Sequence, residues 1–138
     1  MDVDGYDMPD DLYYHREHVW ARVEGNKVVV GFNDFTQNLA GEIMYVEPPL
    51  EGDEVSQDEE VGTVETGKWV GKIYAPVSGR VVAVNEELMD EPSLINSEPY
   101  GKGWLFEIEM SNKDELNNLM KINDAIAWLK GEIAEHAK

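Results

Sequence analysis

The sequence predicts a mainly β domain, folded as a sandwich or barrel of short strands, with one short helix inside it and further helices at the C-terminal end. Runs rich in β-branched and aromatic residues alternate with Gly and Pro turns between Val19 and Glu109. After Ser111 the apolar residues change to a helical spacing. The 138 residues, 42% of them hydrophobic, provide enough apolar material for the core of one domain.

The first 11 residues are acidic and contain Pro9, which predicts a loosely packed lead-in (1–11) to a domain spanning 12–138. This segment lacks the basic and apolar regions of a signal peptide. No apolar run reaches the roughly 18 to 20 residues that cross a bilayer. We therefore expect a cytoplasmic protein without membrane contact.

The first strong structural signal is a hairpin. Residues 19–23 and 27–30 are β-rich and flank Glu24-Gly25-Asn26, a turn sequence. Residues 33–41 predict a short helix, because Asn33 can cap its start and Gly41 can end it in a left-handed conformation. Further strands, separated by Gly and Pro turns, are predicted at 42–47, 61–66, 69–75, 80–85 and 104–109.

Two C-terminal helices are predicted, at 112–121 and 124–136. Ser111 and Asp114 resemble a capping box that opens the first of them. The second carries one apolar stripe, formed by Ile122, Ile126, Leu129 and Ile133. We expect this stripe to pack on the β core; a partner-binding helix is the alternative.

Composition excludes several functions. The chain has 11 basic and 29 acidic residues, a net charge of −18, which repels nucleic-acid backbones and favours a soluble monomer. It has no cysteine, so thiol nucleophiles, disulfides and Cys-ligated metals are excluded. Any redox chemistry must come from an attached or bound group.

One lysine lies where two predicted strands meet. Gly67-Lys68 separates the runs at 61–66 and 69–75, so the Lys68 side chain is expected to project from a hairpin tip. An exposed lysine in a turn is commonly only a solvated charge. The position alone is therefore a weak indication of function.

The surrounding residues resemble the H protein family of the glycine cleavage system, from about residue 12 to about residue 128. The family's lipoyl-lysine follows a Glu by three residues and precedes the Pro of a Pro-Val-Ser-Gly turn by eight, offsets that Glu65 and Pro76 give to Lys68. The matching residues are Tyr13, Glu17-His18, Trp20, Arg22-Val23-Glu24-Gly25, Leu39-Ala40-Gly41-Glu42-Ile43, Val46-Glu47, Pro49, Glu65-Thr66-Gly67-Lys68, Ile73-Tyr74-Ala75-Pro76-Val77-Ser78-Gly79, Val84-Asn85, Leu94-Ile95-Asn96, Pro99-Tyr100 and Gly103-Trp104-Leu105.

The resemblance implies a lipoyl/biotinyl-carrier fold (a barrel-sandwich hybrid) with lipoate amide-linked to Lys68, and Glu65, Gly67 and Trp69 as flanking recognition residues. Biotin carriers surround their lysine with methionines, which are absent here. The implied protein is a non-catalytic swinging-arm carrier. Its implied partners are a lipoate ligase or lipoyl transferase, glycine decarboxylase, aminomethyltransferase and dihydrolipoamide dehydrogenase.

The resemblance implies that the arm is sheltered at His18, Val19 and Lys72, and two of these positions depart from the family pattern. The family commonly has a Glu after His18, where this chain has Val19, and an acidic residue four positions after the lipoyl-lysine, where this chain has Lys72. Both changes remove negative charge, which predicts weaker sheltering of a cationic cargo. An alternative therefore stays open: an H-like lipoate-binding protein of sulfur oxidation that serves a heterodisulfide-reductase-like complex.

Other kinds of site find less support in the sequence. His15 and His18 form a possible metal pair, but no convincing third ligand accompanies them, so a structural role and no metal are expected. Ser78 lacks a partnered His for a hydrolase triad. Trp69 has two interpretations of equal standing, a docking contact for a partner or packing on the flank of the hairpin.

Overall fold

The computed structural model describes residues 1–136; the last two residues of the predicted domain 12–138 lie outside this part. The strands are β1 (Asp2–Val3), β2 (Tyr6–Asp7), β3 (Tyr13–Tyr14), β4 (Val19–Glu24), β5 (Lys27–Phe32), β6 (Tyr45–Glu47), β7 (Glu54–Val55), β8 (Glu60–Glu65), β9 (Val70–Tyr74), β10 (Gly79–Val84) and β11 (Phe106–Met110). The helices are α1 (Asp34–Ala40), α2 (Glu87–Asp90), α3 (Leu94–Ser97) and α4 (Ile122–His136), with a 3-10 helix at Lys113–Asn118.

The strands of the described part form three antiparallel sheets. A six-stranded sheet has the order β3-β4-β5-β11-β10-β7, and a three-stranded sheet has the order β6-β8-β9. The third is the small β1–β2 ribbon. The predicted mainly β sandwich with a short helix and a C-terminal helix is confirmed.

The β4–β5 hairpin buries both of its faces, because side chains along a strand alternate in direction. One face contributes to a first core that also contains residues of the three-stranded sheet, such as Val46 and Val64. The opposite face carries Trp20 and Val29 into a second core. The first-core residues of this hairpin are Val19, Ala21, Val28, Val30 and Phe32.

Helix α4 closes the second core. Ala125 and Leu129 are fully buried, and the remaining residues of the predicted stripe, Ile122, Ile126 and Ile133, are partly buried against the same cluster. The stripe therefore packs within the domain, as expected, and is not an unpartnered helix face.

The expectation of a loosely packed lead-in at residues 1–11 is wrong. Val3 and Met8 are buried in the second core, and the Asp7 amide donates to the Asp34 carboxylate at 2.9 Å. The Tyr6 ring meets Phe35 edge-on at 5.1 Å between centroids. The acidic composition gave no sign that Val3, Tyr6 and Met8, in and directly after the short β ribbon, pack against the second core.

The first predicted C-terminal helix (112–121) is also different in the structure. The segment forms the 3-10 helix, and Asn112, not Ser111, caps it by accepting from the Asp114 amide at 3.0 Å. Met120 instead pairs with Tyr14 through two backbone hydrogen bonds of 2.8 Å. This strand-like bridge uses the Met120 backbone groups that a helix would need, so the predicted helix does not extend through 120. Helix α4 then begins at Ile122, two residues before the expected start at 124.

The N-cap of α1 follows the sequence prediction, and Gly41 ends the helix as predicted but with a different backbone conformation. The Asn33 side chain accepts from the Thr36 amide at 2.8 Å, and Gly41 ends the helix with a φ of +85°. Its ψ of −165° lies outside the left-handed helical region, in a conformation that is open to glycine. The short helices α2 and α3 were not predicted, because each has only one turn and no apolar period.

The contact between Trp20 and Gly31 gives a test of this packing. A Cβ on Gly31 would overlap the Trp20 ring, whereas one on Gly131 of α4 meets nothing within 4 Å. We expect Gly31→Ala to lower the free energy of unfolding by about 1–3 kcal/mol. The control Gly131→Ala should raise it by up to about 1 kcal/mol, through helix propensity. Urea unfolding measures both, and similar effects from the two variants would contradict the packing described.

Candidate functional site

Lys68 lies at the tip of the β8–β9 hairpin, where the sequence predicted it. The Thr66 amide donates to the Trp69 carbonyl at 2.8 Å and closes a two-residue loop of Gly67 and Lys68. The Lys68 amide donates to the Thr66 hydroxyl at 3.3 Å, and its side chain is exposed. The loop is therefore short and internally hydrogen-bonded, and it presents a free amine.

The base of the hairpin is anchored by its inward-facing residues. Val46, Val64 and Gly71 pair across β6, β8 and β9 and form a buried row. The Trp69 ring lies directly over Gly71, where any Cβ would overlap it. Trp69 nevertheless remains 42% exposed. Packing on the hairpin flank is thus part of its role, and enough of the ring stays accessible for a partner.

A cleft of about 530 Å³ opens beside Lys68. The edge of β9 lies on one side, with α1 and His18 among the residues that line the rest. Cε of Lys68 lies 3.8 Å from the position that a Cβ on Gly41 would occupy. The lining residues are Glu17, His18, Phe32, Thr36, Leu39, Ala40, Lys68, Trp69, Val70, Gly71, Lys72, Tyr74 and His136.

Asn96 positions the chain beneath the Lys68 side chain. Its Oδ1 accepts from the Ile43 amide at 2.8 Å, and its Nδ2 donates to the Gly41 carbonyl at 2.7 Å. A side chain from α3 thereby fixes the link between α1 and β6. Asn96 matched the family, but the sequence alone assigned it no role, since its partners are more than 50 residues away.

His18 forms part of the cleft wall and has an unusual backbone, with a φ of +73°. Its ring lies 5.1 Å from Trp128 and 6.1 Å from Phe35, centroid to centroid, and its Nε2 lies 3.5 Å from Glu132. Burial, with smaller contributions from the nearby His136 and His15, lowers the pKa of His18 to about 4. The imidazole is therefore neutral near pH 7, and its contact with Glu132 does not join two full charges.

The nearby His15 is buried, and both nitrogens of its ring have hydrogen-bond partners. Its Nε2 bonds to the Asp58 carboxylate, and its Nδ1 accepts from the Glu17 amide at 3.0 Å. Both ring nitrogens are occupied, consistent with the structural role expected for this residue. Within residues 1–136, no group of three or more His, Asp or Glu side chains is placed to hold a metal ion.

The structure corrects the expectation that Val19 is an arm-sheltering position. Val19 is fully buried in the first core and does not line the cleft. Lys72 does line the cleft, but its Nζ lies 3.5 Å from Glu60, which offsets its charge. Sequence reasoning missed Glu17, the one carboxylate among the described lining residues.

A sandwich of two antiparallel sheets with an exposed lysine on a two-residue hairpin loop has the barrel-sandwich architecture of lipoyl domains. A crystal structure of a glycine cleavage system H protein from Mycobacterium marinum superposes with a TM-score of 0.79 and 30% identity. The match covers 90% of this chain and 99% of that one. The family model for the glycine cleavage H-protein matches residues 12–132. The chain belongs to the glycine cleavage H-protein family.

Curated relatives agree with this assignment. The glycine cleavage system H protein of Carboxydothermus hydrogenoformans is 47% identical over 91% of this chain and 96% of its own length. That of Halalkalibacterium halodurans is 47% identical over 85% of this chain and 91% of its own length. These names give no support to the sulfur-oxidation alternative. Among the helices described, none has both the length and the apolar character to cross a bilayer.

The lowered pKa of His18 predicts a pH-dependent stability. Folding favours the neutral imidazole, so this contribution is present above the ordinary pKa of about 6.5 and is lost as the pH falls towards 4. We expect His18→Asn, which tolerates a positive φ, to remove about 1–3 kcal/mol of the wild-type change in unfolding free energy between these pH values. Urea unfolding at several pH values measures it. Because carboxylates titrate in both proteins, only the difference between their two pH dependences of unfolding free energy reports on His18. Equal pH dependences would contradict the neutral state of His18.

Proposed function

We propose that this chain is the lipoyl carrier of a glycine cleavage system, with lipoate amide-linked to Nζ of Lys68. The observation that carries the proposal is the placement of Lys68 on a closed hairpin loop beside an apolar cleft, in a chain of the H-protein family. When bound, lipoate supplies a dithiolane whose two sulfurs accept an aminomethyl group and electrons. A chain without cysteine has no such group of its own.

The residues around Lys68 fit a lipoyl group. The cleft volume of about 530 Å³ lies within the range of small-molecule sites, about 300–1,000 Å³. Apolar side chains dominate its lining and suit a hydrocarbon chain. The Lys68 stem already lies against Gly41 at the cleft, so a group extended from Nζ starts beside this surface.

The chain itself performs no bond chemistry in this proposal. The hairpin keeps the Lys68 amine exposed, and Glu65, Gly67 and Trp69 are the flanking residues that a modifying enzyme recognises. Glu17, His18 and Lys72 set the polarity of the cleft. Tethering raises the local concentration of the arm at a docked partner to roughly millimolar, so transfer between enzymes becomes effectively intramolecular.

The partners follow from this role. A lipoate ligase or lipoyl transferase attaches the group to Lys68. A glycine decarboxylase loads the arm, an aminomethyltransferase unloads it, and a dihydrolipoamide dehydrogenase reoxidises the sulfurs. The protein is a non-catalytic component of this system.

Lipoylation of Lys68 is tested by intact mass. With lipoate, ATP and a lipoate ligase, we expect the protein to gain one lipoyl group. Lys68→Ala should gain none. Lys72→Ala is the matched control, since Lys72 is a nearby exposed lysine on the returning strand, and it should be modified fully. A lipoyl mass on Lys68→Ala would overturn the attachment site.

Glycine as the source of the cargo is tested with glycine decarboxylase. We expect the lipoylated protein to support exchange of labelled bicarbonate with the glycine carboxyl group, because its arm reaches the decarboxylase. The unmodified protein and Lys68→Arg should leave only the background rate of the decarboxylase. Absence of exchange with a fully lipoylated protein and an active decarboxylase would contradict the proposed cargo.

A further inference from the structure

Exposed large apolar side chains cluster around Lys68. Nine such side chains are exposed in the described chain, and five of them surround the hairpin tip. We call these five the collar; they are Leu39 (48% exposed), Met44 (57%), Tyr45 (70%), Trp69 (42%) and Val70 (62%). A group of exposed apolar side chains in one region marks an interaction site more often than scattered single residues do.

The collar lies on both sides of the tip. Tyr45, Glu65 and Val70 pair across the three strands, so Tyr45 and Val70 share the outward face of the three-stranded sheet. Trp69 lies on the opposite, inward side, above Gly71. Leu39, Trp69 and Val70 also line the cleft, so the collar continues into its mouth. A partner that covers the collar must therefore receive the hairpin tip into a recess, and a flat contact is insufficient.

The rim of the collar is acidic. Glu65 stands between Tyr45 and Val70, Glu47 lies two residues along the same outward face, and Glu42 follows Gly41 beneath the Lys68 stem. None of these three carboxylates forms an ion pair within residues 1–136. The complementary surface is an apolar recess with Lys or Arg side chains around its mouth.

We propose that the collar is the docking surface for the enzyme that acylates Lys68, and that this enzyme has an apolar recess with a basic rim. The inference rests on the proposed function. Acylation joins Nζ to the carbonyl carbon of a lipoyl group that is activated as an acyl phosphate, formed from lipoate and ATP, or as a thioester. The bond from that carbon to the leaving group breaks, and the ammonium gives up two protons in becoming an amide.

The reach of the side chain selects this partner over the others. For acylation, the enzyme must bring its carbonyl carbon to about 3–3.5 Å from Nζ before bond formation. Nζ stands on a stem of only four carbons, so the enzyme surface has to enclose the hairpin tip and meet the collar. Enzymes that act on the sulfur end of the arm work at a greater distance from the tip.

The test compares rates of acylation by a lipoate ligase supplied with lipoate and ATP, read by intact mass. Trp69→Ala and Val70→Ser should each lower kcat/KM about five- to tenfold. Val23→Ser is the matched control: Val23 is also an exposed strand valine, 39% exposed, at the far end of β4. It should stay within about twofold of the unsubstituted protein. Thermal unfolding checks that Trp69→Ala remains folded, and the outward-facing Val70 provides a variant without loss of core packing.

Two further measurements separate docking from chemistry. Ligase affinity for Lys68→Arg, which cannot be acylated in this way, should fall when Val70→Ser is added and should weaken as NaCl rises from about 0.05 to about 0.5 M. Excess ligase should still modify every variant that keeps Lys68.

Rates of acylation for Trp69→Ala and Val70→Ser that match the rate for Val23→Ser would overturn the proposal. Slower glycine–bicarbonate exchange with unchanged acylation would also overturn it, by assigning the collar to the decarboxylase. Failure of the unsubstituted protein to be lipoylated would contradict the proposed function itself.

Discussion

Burial of both faces of the β4–β5 hairpin is the constraint from which the other elements take their positions. One face builds the core shared with the three-stranded sheet, and the other carries Trp20 into a second core beneath α4. The indole lies on Gly31 and donates to the carbonyls of Phe32 and Pro99, at 2.9 and 3.1 Å. A buried donor without such partners would cost free energy, so the sheet, the end of β5 and a distant loop are fixed together.

This arrangement explains how a small domain holds an exposed lysine in a defined place. The first core anchors the inward residues of the β8–β9 hairpin, Val64 among them, while the tip projects beyond it. A carrier requires this combination. If the base of the hairpin were mobile, the attached group would no longer be held at a high local concentration beside a docked partner, and if the tip were buried, the lysine could not be modified. The second core supports the cleft from the other side, through Phe35 of α1 and the packing of α4 around His18.

The electrostatics of the cleft differ from those of the whole chain. The protein carries a net charge of −18, yet Glu17 is the one carboxylate among the described residues that line the cleft, and His18 is held neutral by burial. Lys72 also contacts Glu60, which limits the effect of its charge on the cleft. The strong acidity therefore belongs to the outer surface, including the rim around the hairpin tip, where it can act on partner proteins.

The sequence by itself determined the β architecture, the caps of α1, the apolar stripe of α4 and the hairpin tip at Lys68, because local periodicity and turn chemistry specify these features. Tertiary structure decided what depends on distant contacts. Residues 1–11 pack against the domain through Val3 and Met8, which are buried in the second core. Met120, predicted to be helical, forms a β-bridge with Tyr14. The same holds for the cleft. Val19 is buried in the first core and does not reach the cleft, and folding brings Glu132 to His18 across more than 100 residues, a proximity that sequence spacing cannot encode.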